Sequence, residues 1–317
     1  MENGQERKPD LICSLEKEGF LGSFYQGDRY VDKAIIFVGG SGEPRNVVEA
    51  RAAILAKEGY SVLAVGYYLW KPLSRQTVAI PLDYVELAID WLKEKCPVKV
   101  TKIGMIGLSL GAAYTALCGA YFPQISCAIV VSGFDFVVEG CKNMVIRQHR
   151  SYFTLHGENI PYEPAEALSH LPATLKKWKK DPRYGSKAMN RFYYNECFKN
   201  RTDASRIKVE NGNCDWLFLA PGYDDTWPSD QAVKRMIQVL REKQYPHRYE
   251  CVIYEKGSHL LGMPNEALAA MGDVDKLMRM LGKFITMEKK YPKECMEARE
   301  ESYQKILSFL QESMIDG

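Results

Sequence analysis

The 317 residues are 46% hydrophobic and 26% charged, long enough to bury roughly three quarters of the unfolded surface and too long for a disulfide-stapled miniprotein. Lys plus Arg (42) nearly balance Asp plus Glu (40). With no cationic cluster denser than Lys176–Lys180 around Trp178, a nucleic-acid partner has no support. The nine cysteines are odd in number, without a CxxC or a Cys/His ligand spacing, and Cys118 and Cys127 sit in apolar runs. They read as small buried hydrophobes of a reducing compartment, with neither a disulfide framework nor a metal site. The polar start, Met1–Asp10, lacks the apolar stretch of a secretion signal, and no apolar run nears the ~18 residues of a membrane span, so the expectation is a cytoplasmic protein.

In chain order, Phe20–Gln26 reads as an antiparallel hairpin strand. Six short apolar runs follow: Ala34–Val38, Ser61–Val65, Ile103–Ile106, Cys127–Val131, Trp216–Ala220 and Cys251–Tyr254. Strands apolar on both faces belong to a buried parallel sheet. Leu82, Val85, Ile89 and Leu92 step at helical spacing between them, as do Val233, Met236, Ile237 and Leu240, which places amphipathic helices against that sheet. The alternation predicts a mostly parallel, doubly wound α/β domain with right-handed crossovers. Strand spacing is regular up to Val131, and the long gap before Trp216 marks an insertion over about 139–206, rich in aromatic and basic residues and expected to be a helical lid. A helix is predicted within it over Ala165–Lys180. Helices over about 267–314 close the chain, ending on the stripe of Tyr303, Ile306, Leu307, Leu310 and Met314, and one domain spans 1–317.

Gly107–Gly111 (GLSLG) matches GxSxG, between a strand ending at Ile106 and a helix over Leu110–Tyr121. A serine on a sharp strand-to-helix turn holds its hydroxyl clear of the backbone, and glycines on both sides leave room for the close helix crossing. Ser109 is therefore the candidate nucleophile, and it needs a base. His149, His156 and His170 fall in the insertion and His247 precedes the last strand. His259 follows that strand in a Gly-bearing loop, where the base belongs in the order Ser, acid, His. The loop after Trp216–Ala220 offers two adjacent carboxylates. Asp225 is preferred as the triad acid, third after Gly222, with Asp224 as the alternative and Asp135 behind both. The Leu110 amide, with those of Gly40 and Ser41 in the loop after the first core strand, forms the expected oxyanion site. That loop has no complete phosphate-binding fingerprint.

With these motifs in place, the chain resembles the carboxyl-terminal catalytic domain of the acyl-CoA thioesterase and bile acid-CoA:amino acid N-acyltransferase family, a branch of the α/β hydrolases near dienelactone hydrolase. The likeness is carried by Pro81–Leu92 (PLDYVELAIDWL), Val100–Ser109 (VTKIGMIGLS), Trp216–Asp225 (WLFLAPGYDD) with Trp227, and Tyr254–His259 (YEKGSH), and it covers about Ala34 to Gly262. It implies an α/β-hydrolase fold and a Ser109, Asp225, His259 triad acting on acyl thioesters. Three departures stand out. The residues before Phe20 leave no room for the β-sandwich domain of full-length relatives. Ser109 replaces the cysteine of the amidating branch, which favours hydrolysis over transfer. Leu108 and Leu110 flank the nucleophile where the family has Lys or small polar residues, giving an apolar site mouth.

The expectation is a serine hydrolase of acyl esters or thioesters, taking a small-molecule acyl ester or acyl-CoA as substrate and using no cofactor. A general carboxylesterase, a dienelactone hydrolase-like enzyme, a peptidase, an acyl-CoA-dependent N-acyltransferase and a catalytically silent binding protein are the alternatives. A homo-oligomer stays open. Lys176, Lys177, Lys179 and Lys180 could meet CoA phosphates or form a solvated helix face.

Overall fold

The computed structural model describes residues 7–142, 146–165, 172–176, 179, 185, 187–269 and 272–316. Its centre is an eight-stranded sheet of β1 (Leu11–Cys13), β2 (Leu21–Tyr25), β3 (Tyr30–Val38), β4 (Tyr60–Gly66), β6 (Lys102–Leu108), β7 (Ile125–Val131), β12 (Asp215–Pro221) and β13 (Tyr249–Tyr254), in the order β1-β2-β4-β3-β6-β7-β12-β13. β2 runs antiparallel to β1 and β4, and the remaining pairs are parallel. All six apolar runs are strands of this sheet, and Phe20–Gln26 contains β2.

Strand alternation divides the core into two layers. Ala34, Ile36 and Val38 of β3 face one layer, with α2 (Asp83–Glu94), α3 (Leu110–Tyr121) and α5 (Ser229–Glu242). Ile35 and Phe37 face the other, with α1 (Arg45–Ala56) and α9 (Pro292–Leu310). Successive strand residues point to opposite faces, and helix faces supply cover for both. This is the α/β-hydrolase architecture. The carboxyl-terminal part carries α6 (Glu266–Ala269), α7 (Val274–Phe284) and α8 (Thr286–Lys290) before α9. No helix among the described residues is long and apolar enough to cross a membrane.

The insertion departs from the helical expectation. It opens with the antiparallel pair β8 (Glu139–Lys142) and β9 (Ile146–Ser151). β10 (Phe153–Leu155) then pairs with β11 (Glu158–Asn159) and, in parallel, with β5 (Ile80–Pro81). The two-residue turn His156-Gly157 has φ of 50° and 82°, the left-handed pair that a tight hairpin requires. That dipeptide between alternating residues was the readable signal. A helix, α4 (Ala188–Cys197), follows. Of the predicted Ala165–Lys180 helix, 172–176 are helical and most of the rest lies outside the described residues, as do His170, Lys177, Trp178 and Lys180. Lys176 and Lys179 are exposed. Buried Glu163 closes the base of the insertion by accepting from Thr202 and Ser205.

Candidate active site

Ser109 sits between β6 and α3 with φ 58° and ψ −118°, a strained conformation for a residue with a Cβ. The close crossing that creates it depends on glycine. A Cβ on Gly107 would lie 2.0 Å from the Gly111 carbonyl oxygen, and one on Gly111 would lie 2.4 Å from the Gly39 carbonyl oxygen. The Ser109 amide donates to the Val131 carbonyl, so neighbouring strand β7 holds the turn.

His259 brings the site together. Its Nε2 lies 2.8 Å from Ser109 Oγ and its Nδ1 2.8 Å from Asp224 Oδ2. The acid facing the imidazole is thus Asp224, and the preference for Asp225 is corrected. Asp224 is fully buried; Oδ2 also accepts from Ser229 Oγ (2.7 Å) and Oδ1 from the Thr226 amide (2.8 Å). Asp225 points the other way, accepting from the Thr286 amide at 2.7 Å and from Thr286 Oγ1 at 2.5 Å. Burial pushes its carboxyl up to about 6, with the Asp224 charge adding to the rise and the Thr286 donors opposing it. Counting residues after Gly222 could not separate the two, because adjacent residues of a turn project in different directions. Asp135 is occupied elsewhere, bidentate to Arg235 at 2.6 and 2.7 Å.

Of the expected oxyanion donors, Leu110 opens α3, where the first backbone N–H groups have no intrahelical acceptor. Gly40 backs directly onto Ser109, a Cβ built on it lying only 3.1 Å from Ser109 Cβ, but its amide donates to Glu43 Oε2 at 2.9 Å. That removes Gly40 as a free donor and leaves Ser41 as the loop's candidate. The loop is braced from several sides. Arg51 pairs with Glu43, Tyr67 Oη donates to the Gly39 carbonyl, and the Gly42 amide donates to Tyr68 Oη. Leu108 and Leu110 are buried in opposite core layers, so the expected apolar mouth is corrected: they pack the fold.

Sequence reasoning missed the groups that hold the loops. Ser258, beside the histidine, donates to Glu288 Oε1, which also receives Arg299, and both partners of that ion pair are buried. The Gly262 amide donates to Ser302 Oγ. From the insertion, the Arg191 amide donates to the Asp225 carbonyl, and its guanidinium to the Asp224 carbonyl and Asp230. Trp227 lies edge-on to His259 at 5.4 Å and donates to the Ser132 carbonyl, and Tyr194 of α4 rests on Trp227 at 5.8 Å. The insertion therefore reaches the surroundings of His259 through α4. His156 pairs with Glu86 and His247 with Asn213, while the exposed His149 lies beside Glu139.

Comparison with known proteins places this geometry in context. Residues 80–316 match the family described as BAAT / Acyl-CoA thioester hydrolase C terminal. The match runs past Gly262 to include Thr286, Glu288 and Arg299. Acyl-coenzyme A thioesterase 5 of Mus musculus is 31% identical over 224 residues, 69% of this chain and 47% of that protein. Acyl-coenzyme A thioesterase 1 of Mus musculus is 24% identical over 274 residues, 84% of this chain and 57% of that protein. The chain spans about half the length of the curated relatives it matches. Uncomplexed Pyrococcus horikoshii acylaminoacyl peptidase shares the fold at 13% identity, with a TM-score of 0.52 over 93% of this chain and 39% of that one. A family match across most of the sequence settles the kinship: the chain belongs to the BAAT / acyl-CoA thioester hydrolase C-terminal family.

Proposed function

We propose that this chain is a serine hydrolase of acyl thioesters and esters, working through an acyl-serine, with acyl-CoA as the preferred substrate. The observation that carries the reading is His259 standing 2.8 Å from both Ser109 Oγ and Asp224 Oδ2, on a serine held at positive φ. His259 Nε2 takes the hydroxyl proton as Oγ attacks the acyl carbon. The Leu110 and Ser41 amides receive the oxyanion, and Asp224 stabilises the imidazolium without taking its proton. The C–S or C–O bond to the leaving group breaks, the leaving group departs with the proton from His259, and an acyl-serine remains. Water, deprotonated by the same histidine, attacks it, releasing the acid and restoring Ser109. Ser109, His259, Asp224, the two backbone amides and water account for every step. The thioester preference is supported by the relatives, which are acyl-coenzyme A thioesterases.

The test pairs a fluorophosphonate probe with an acyl-CoA and p-nitrophenyl ester panel. Wild type should label at Ser109 and turn over acyl-CoA, and Ser109→Ala should do neither. Unchanged turnover in Ser109→Ala would overturn the mechanism. Hydrolysis of aryl esters alone would overturn the thioester assignment.

A further inference from the structure

Two adjoining hollows outside the triad share Lys199, Arg201 and Arg235. The smaller, about 170 Å³, is floored by Phe136, Tyr194 and Phe198, and the larger, about 400 Å³, runs along α5. Cations and carboxylates both line them, but their bookkeeping is uneven. Asp135 is taken by Arg235 and Asp203 by Arg206 and Lys208, while Glu242 accepts from Gln238. Lys199 and Arg201 have no carboxylate within ion-pair distance among the described residues. Arg201 is held ready: its guanidinium lies over the Phe136 ring at 5.1 Å, with one Nη donating to the Phe198 carbonyl at 3.1 Å. A guanidinium fixed on an aromatic face with unused donors is suited to a phosphate. Burial, then the nearby Arg235 guanidinium, disfavours its charged form, against which the more distant Asp135 and Glu163 carboxylates act.

Packed aromatic rings stand between the hollows and the triad. His259 meets Trp227 at 5.4 Å, Trp227 meets Tyr194 at 5.8 Å, and Tyr194 meets Phe198 at 5.3 Å. We infer that Lys199 and Arg201, over the Phe136–Phe198 floor, form the subsite for the phosphorylated adenosine head of the thioester substrate, whose arm follows the Tyr194–Trp227 wall to Ser109. This rests on the thioester reading above and adds a place for the leaving group. In sequence the two cations lie at the carboxyl end of the insertion, after Lys176–Lys180.

Two measurements test it. In the first, kcat/KM for an acyl-CoA is divided by kcat/KM for the same acyl group on N-acetylcysteamine, which lacks the head. Arg201→Ala and, separately, Lys199→Ala should lower this ratio roughly tenfold, the loss of one charge-assisted contact. Lys199 is exposed and has no ion pair among the described residues, so its variant guards against a packing defect in Arg201→Ala. An unchanged ratio in both variants overturns the subsite. In the second, adenosine 3′,5′-bisphosphate is titrated calorimetrically against inorganic phosphate. Tighter binding of the nucleotide, weakened about tenfold by Lys199→Ala, supports the subsite. No nucleotide binding, or equal binding of phosphate, overturns it. A chain that binds the nucleotide but hydrolyses only aryl esters would keep the subsite and lose the thioesterase reading.

Discussion

Replacing each of the two adjacent aspartates by asparagine should separate their roles sharply. In Asp224→Asn the side-chain oxygen has two places to go. Facing the Thr226 amide, it keeps that 2.8 Å hydrogen bond and turns its NH2 toward His259 Nδ1. The imidazole must then accept at Nδ1 and carry its proton on Nε2, where it can no longer take the Ser109 proton. Facing His259 instead, the oxygen preserves the useful tautomer but sets NH2 against the Thr226 N–H, leaving a buried donor unpaired at a cost of about 1–3 kcal/mol. The unproductive tautomer is therefore favoured, and kcat should fall by about 10⁴, as for a triad acid converted to its amide elsewhere. That is roughly 5.5 kcal/mol of transition-state stabilisation. Asp225→Asn disturbs only the Thr286 contacts and should keep kcat within about tenfold, the effect of about one hydrogen bond. The assay is single-turnover acylation with a p-nitrophenyl ester, alongside circular dichroism to confirm folding. A folded Asp224→Asn enzyme with more than a tenth of wild-type activity, or an Asp225→Asn enzyme that falls as far, would refute the reasoning.

The other expectations concern the frame. Asp225, pushed up to about 6 by burial, binds more protons folded than unfolded between about pH 4 and 6. Its contribution to stability is therefore full at the acid end of that window and falls by roughly 3 kcal/mol as pH rises through it. Urea unfolding across pH 4 to 7 should show this slope in wild type and lose it in Asp225→Asn; parallel curves would sink the idea. Arg299→Met leaves Glu288 buried without its cation and should cost about 3–5 kcal/mol, with a lower kcat because Ser258 and the histidine loop hang on the same carboxylate. A loss under about 1 kcal/mol would mean the pair is not the anchor described. Gly107→Ala drives a Cβ to within 2.0 Å of the Gly111 oxygen and 2.3 Å of Thr115 Oγ1, which should yield insoluble protein or a loss beyond about 3 kcal/mol. Near-normal urea unfolding and activity would show that α3 can move away from β6.

Local pattern carried much of this protein. Apolar runs and helical spacing give the parallel sheet and its flanking helices because periodicity is a property of neighbouring residues. The GxSxG turn and the histidine after the last strand were legible for the same reason. What lay beyond reach depended on partners distant in sequence. Asp224 rather than Asp225 meets His259 because Thr286, 61 positions along, captures the second carboxylate and fixes which way each turn residue projects. Gly40 cannot offer its amide because Glu43, itself held by Arg51, has claimed it. The insertion read as helical because its composition spoke louder than one His-Gly turn, yet its strand β10 gains a partner in Ile80–Pro81, more than seventy residues earlier. The carboxyl-terminal segment looked like mere cover. Only when Glu288 and Arg299 meet Ser258 does it become the brace of the histidine loop, since a buried charge pair acquires its meaning from the chain folded around it.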